Sequence, residues 1–112
     1  MSIPMTEEFE GWFNQLSEVL KGRVDASISV FESVREDIAE PHGGRVYGSR
    51  YEPTVFALYP ARDGKAFIVF CVLCDSTINL VNGYDANSNL HLQNLIDRVD
   101  EIIERDKLFC PT

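Results

Sequence analysis

Ala66-Phe67-Ile68-Val69-Phe70-Cys71-Val72-Leu73-Cys74 is a run of nine residues whose only polar side chains are two thiols. Its β-branched and aromatic content, with turn signals on either side, predicts a strand, and a period of two then leaves both of its faces apolar. Both faces must be covered. Helices across the core can cover one, and the other needs a second helix, a strand layer or a partner chain.

Working outward, Asp63-Gly64 predicts a tight hairpin turn back to a strand over Thr54–Tyr59. On the other side Asp75-Ser76-Thr77 turns the chain into Ile78–Val81, which Asn82-Gly83 closes. The expected sheet is a three-stranded antiparallel meander with the apolar strand in the middle. Upstream, Thr6 is a good N-cap, and Glu7 and Glu8 suit the positive end of a helix dipole. Phe9, Trp12, Phe13, Leu16, Val19 and Leu20 recur at helical spacing, which predicts a helix over Glu7–Lys21 ending near Gly22. Val24, Ile28, Phe31, Val34, Arg35 and Ile38 trace a second helix that Pro41, Gly43 and Gly44 stop after Glu40. The last helix is expected over Asn89–Asp106, on the spacing of Leu92, Leu95, Ile96, Val99, Ile102 and Ile103. The fold class is α+β, a single domain over residues 1–112 in the order α-α-β-β-β-α.

Charge narrows the function. The chain carries 18 acids against 10 bases, a net −8. Residues 1–44 hold nine acids and three bases, residues 45–86 four of each, and residues 87–112 five and three. Phosphate binding is driven by clustered Lys and Arg, so long-range attraction to nucleic acid would need the opposite balance. On the last helix Asp97, Asp100, Glu101 and Glu104 fall at i, i+3, i+4 and i+7, a continuous acidic stripe. The plain alternative is a solvated acidic surface that keeps a small protein soluble.

The element order, together with Glu40-Pro41, Gly48-Ser49-Arg50-Tyr51, the apolar strand and Ile78-Asn79-Leu80-Val81-Asn82-Gly83-Tyr84-Asp85, resembles the RelE/HigB-like superfamily of toxin–antitoxin ribonucleases. The phage-derived HigB-like branch is the nearest, and the resemblance runs over about Phe9 to Arg105. It implies a small twisted antiparallel sheet with helices packed on it. It also implies metal-independent cleavage of messenger RNA on the ribosome, by basic and aromatic residues of a concave sheet face, and a cognate antitoxin as partner. Attack of a ribose 2′-hydroxyl on its own phosphodiester builds negative charge at phosphorus, which calls for aimed cations, a proton acceptor and a proton donor. On that resemblance Arg50, Lys65 and Tyr84 are the catalytic candidates, and Arg45, Arg50, Tyr51, Lys65 and Asp85 face RNA or a partner. No metal or cofactor is implied. Phe67 stands where relatives commonly place an Arg, and Ala86 where they commonly place a Lys, so the resemblance implies a weakened or inactive nuclease.

A second function class fits the charge map: a non-enzymatic acidic inhibitor from a phage or mobile element, of anti-defence or anti-CRISPR-like type. Its partner would be a basic nucleic-acid-binding surface on a host protein complex, and its binding face the stripe Asp97, Asp100, Glu101 and Glu104. If helices cover only one face of the sheet, a partner or a homodimer is needed for the other. The absence of an export signal near Met1 and of any membrane-length apolar run places the chain in the cytoplasm. Cys71, Cys74 and Cys110 read there as reduced thiols, and Cys71-x-x-Cys74 lacks the second pair a zinc site needs.

Overall fold

The computed structural model describes residues 3–60, 67–85 and 91–110. Thr6 caps the first helix, α1 (Glu7–Asn14), its hydroxyl oxygen accepting the Phe9 N–H at 3.1 Å. The expected helix to Lys21 is broken. The chain bends at Gln15–Leu16, and Ser17 caps a new helix, α2 (Glu18–Val34), by accepting the Leu20 N–H. A serine beside a first-turn acid is a helix start, and here it outweighs the continuing apolar period. Gly22 therefore lies inside α2, and Val19, expected in the core, is 67% exposed. The second helix stops at Val34 rather than Glu40. Arg35 has φ 51°, and a single 3-10 turn over Arg35–Asp37 delivers Ile38 to the core.

The sheet has four strands, not three: β1 (Gly43–Arg45), β2 (Val55–Leu58), β3 (Phe67–Cys74) and β4 (Thr77–Asp85), antiparallel in the order β1-β2-β3-β4. The extra strand is short and begins with two glycines, a composition that argues against a strand. Gly43 is needed because a Cβ there would run into the Ala57 carbonyl oxygen of β2. Asn82-Gly83 does not close β4 either. Cys71 pairs with Leu80 and Phe70 with Asn82, so Val81 is an extra residue, a bulge that lets the strand continue to Asp85. The predicted Asp63-Gly64 turn, Lys65 and the start of the last helix at Asn89 lie outside the described residues.

Three layers result. Phe56, Leu58, Val69, Cys71, Leu73, Ile78 and Leu80 project from one sheet face onto Phe9 of α1 and Val24, Ile28 and Phe31 of α2. Val55, Ala57, Phe70, Val72 and Val81 project from the other onto Leu95, Ile96, Val99, Ile102 and Ile103 of α3 (Leu92–Asp106). The apolar β3 is thus sandwiched, as its double-sided sequence requires. The N-terminal stub closes part of the β4 edge: Met5 bridges Leu80 in parallel, and the Thr6 hydroxyl donates to the bulge carbonyl of Val81 at 2.5 Å. No helix among the described residues is long and apolar enough to cross a membrane.

The expectation for the cysteines is corrected. Cys74 and Cys110 form a disulfide spanning 36 residues, and only Cys71 is a free thiol. Residues three apart on a strand face opposite ways. Cys71 enters the α1/α2 core, where burial pushes its thiol pKa far up. Cys74 faces the α3 side, where the tail turns back after Lys107 (φ 55°) and presents Cys110.

Candidate functional site

The Gly48-Ser49-Arg50-Tyr51 string forms a loop fastened to α3. Asp100, 2% exposed, is the fastener: it accepts the Ser49 hydroxyl at 2.5 Å and the Arg50 backbone N–H at 3.0 Å. The Ser49 hydroxyl oxygen in turn accepts the Tyr51 N–H at 3.0 Å, and Gly48, at φ 97°, donates its N–H to Glu52. A buried carboxylate is tolerable only when its lone pairs are met in this way. Gln93 reaches across from α3 to the Gly48 carbonyl at 3.4 Å. Tyr51 stacks on Phe109 of the disulfide-held tail, ring centroids 5.9 Å apart.

This arrangement joins residues that the sequence assigned to two different functions. Arg50, a candidate phosphate ligand, lies 3.8 Å from Asp100 and 3.3 Å from Glu104 of the acidic stripe. Its guanidinium also lies over the Tyr51 ring at 5.9 Å. The stripe itself divides. Asp100 turns inward, whereas Asp97, Glu101 and Glu104 are exposed. Glu101 pairs with Arg98 at 3.1 Å, and Asp97 accepts only the neutral Gln93 amide at 2.9 Å among the described residues. Four carboxylates thus face two guanidiniums along this side of α3.

The remaining candidates stand apart. Arg45 is exposed on β1, its guanidinium over the Phe56 ring at 5.8 Å, and the residue also lines a cavity beside the first turn of α3. Tyr84 is half-buried on the α3 side, its hydroxyl accepting the Asn82 amide at 3.0 Å, with Phe70 edge-on at 5.9 Å. Burial pushes its phenol pKa up, and the charges nearest in effect are Arg98, Glu8 and Glu101 rather than Arg50. Asp85 ends β4 opposite Phe67. Among the described residues, no group of three or more His, Cys, Asp or Glu side chains is placed to share a metal ion.

Two features were not legible beforehand. The first is an ion-pair bridge from α1 to α3 around the β4 edge. Arg105 donates to both oxygens of Glu8 at 2.5 and 2.8 Å, and Arg98 stands 3.6 Å from it. The Arg105 hydrogen bond is the main reason that the Glu8 carboxyl is held down at about 2. The second is a cavity of about 180 Å³ between the sheet and the first turn of α3, lined by Val46, Ala57, Ile68, Phe70 and Ile96 together with Arg45, Tyr47, Tyr59 and Leu92. Tyr47 is 76% and Leu92 58% exposed, although Leu92 lies on the helical period expected to be core. A pair 97 residues apart leaves no local signal, and a cavity depends on where α3 happens to begin.

No protein-family model matches the chain, and no curated protein matches it.

Proposed function

We propose that this protein is a non-catalytic binding module that engages a basic protein surface through the exposed acids of α3. The observation that carries the reading is the state of the cations. Arg50, Arg98 and Arg105 are each paired with carboxylates of the chain itself, and both faces of the sheet are covered by helices. A phosphoryl transition state needs guanidinium groups free to meet developing charge. Asp97, Glu101 and Glu104 instead project to solvent on a chain of net −8. The RelE/HigB-like ancestry suggested by the sequence fits such a descendant, as does a phage or mobile-element inhibitor acting in the cytoplasm by nucleic-acid mimicry. In a reducing compartment the Cys74–Cys110 bond would open, and the tail would be held by packing alone.

One observation favours a second reading. Two helices ahead of an antiparallel meander and one behind it is the order expected of a RelE/HigB-like toxin, in which Arg50, Lys65 and Tyr84 would act on messenger RNA under control of an antitoxin. Induction of the wild-type chain alone, with growth and bulk translation followed, separates the two. The binding-module reading expects normal growth at high expression. Arrest that disappears in an Arg50→Ala, Lys65→Ala variant would overturn it in favour of the nuclease.

A further inference from the structure

We infer that the hollow under the first turn of α3 is a site for a small aromatic or branched aliphatic monocarboxylate, its apolar body seated between the sheet and α3 and its carboxylate met by Arg45. The site is separate from the exposed acids of α3, so the inference stands independently of the binding-module reading.

Size and lining select the body of the ligand. The cavity holds about 180 Å³, and Val46, Ala57, Ile68, Phe70 and Ile96 give it apolar walls. Apolar cavities on the order of 150 Å³ accept a benzene ring, whereas pockets for cofactors and drug-sized ligands start at about 300 Å³. One ring or one branched alkyl group therefore fills it. The same body would cover Tyr47 and Leu92, which line the hollow and are otherwise largely exposed.

Charge selects the head group. Among the described residues Arg45 is the one charged residue that lines the cavity. It makes no ion pair among them, in contrast with Arg50, Arg98 and Arg105. Its contact is instead the ring of Phe56, its partner across β1 and β2, 5.8 Å from the guanidinium. Arg45 is exposed on the edge strand, so its long side chain can leave that ring for the hollow without disturbing the sheet. An exposed cation–π contact is weaker than charge-assisted hydrogen bonds to a carboxylate, so a bound acid wins the guanidinium from the ring.

The surroundings agree with that sign. The first turn of α3 holds no acid and presents the positive end of the helix dipole. Asp97 and Glu101 lie about 140° around the helix from Leu92 and Ile96, facing away from the hollow. The nearest acid in effect is Glu40, which together with burial pushes the Tyr59 phenol pKa up and keeps this lining residue protonated as a donor. A cationic ligand would meet Arg45 with no lining carboxylate to offset it. The net −8 of the chain opposes an anionic macromolecule, but it is screened over about 8 Å at physiological salt and acts weakly on one small carboxylate.

The test uses the full chain and phenylacetate, which joins one ring to one carboxylate, with 2-phenylethanol and 2-phenylethylammonium as the neutral and cationic controls. Methyl NMR should show phenylacetate shifting Ile68 and Ile96 and binding about tenfold more tightly than the alcohol, with the ammonium weakest. Arg45→Gln should bring phenylacetate down to the affinity of the alcohol and leave the alcohol unchanged. The position is exposed, so an unaltered methyl spectrum of the free variant should show that the fold is kept. Silence at Ile68 and Ile96 up to about 20 mM phenylacetate would overturn the site, since a fitted ligand of about ten non-hydrogen atoms binds below that concentration. Equal affinity for the three probes would overturn the anionic ligand, and a preference that survives Arg45→Gln would overturn Arg45 as its anchor. Growth on induction reads the binding-module proposal alone: a chain that arrests translation yet seats phenylacetate loses that proposal and keeps this site, and a tolerated chain silent to the probe does the reverse.

Discussion

The two faces of the sheet are built on different principles. Under α1 and α2 the packing is apolar and continuous: Phe31 is fully buried with its ring 5.2 Å from Phe56, and Trp12 lies over Gly83, where a side chain would collide with the indole. Under α3 the middle of the helix is equally well buried, but polar and covalent devices take part and the two ends differ. The buried carboxylate of Asp100 fastens the middle to the Ser49 loop, a disulfide-tied tail follows the C-terminal end, and the N-terminal end leaves a hollow beside the exposed Tyr47 and Leu92. The first face is a closed apolar core, and the second leaves apolar and acidic side chains exposed around α3.

Substitutions that separate the faces make this contrast measurable. Phe31→Ala should cost about 4 kcal/mol in denaturant unfolding, since a large buried ring is lost with little chance of collapse around it. A loss under about 1 kcal/mol would mean that the α1/α2 face is not the tighter one. Opening Cys74–Cys110 by Cys110→Ser should cost just under about 4 kcal/mol from the loop it closes. Hydrogen exchange should rise first around residues 49–54 and 107–110, because Phe109 is what Tyr51 stacks on. Asp100→Ala should cost about 2–3 kcal/mol by stranding the Ser49 hydroxyl and the Arg50 N–H. Its effect should be confined to the loop and α3; equal loosening of α2 would show the faces to be one cooperative unit.

Gly83→Ala tests the first face from the strand side, with an expected cost of about 2 kcal/mol from overpacking against Trp12. A Trp12→Leu background should recover most of it, and additivity of the two changes would remove the contact as the cause. The smallest effect belongs to the bridge between the faces. Glu8 is ionised well below its ordinary range, so its contribution is present above about pH 4.5 and is lost as pH falls through about 2. Glu8→Gln should therefore cost about 1 kcal/mol near neutral pH, and the gap to wild type should close in acid. A gap that persists at about pH 2 would assign the loss to packing.

Much of the architecture follows from short-range pattern. The apolar run Phe67–Cys74 dictates a strand covered on both sides, and helical spacing from Leu92 to Ile103 dictates the helix that covers one of them. Those inferences hold because burial periodicity is a local property of each element. The places where pattern misled are places where a local preference met a distant neighbour. Gly43–Arg45 becomes a strand because β2 approaches its backbone, and Asn82-Gly83 stays extended because a bulge at Val81 and the Trp12 ring claim it.

The candidate site divides along the same line. That α3 carries a row of acids was decided by the sequence alone, since i, i+3, i+4 spacing on a helix requires nothing else. That Asp100 turns inward to hold Arg50 and Ser49, that Cys110 finds Cys74, and that a hollow opens beside Leu92 were decided only by the tertiary structure. The physical reason is that each depends on groups at least 36 residues apart in the chain meeting at one point. Periodicity places a side chain on a face, but only packing settles what that face meets.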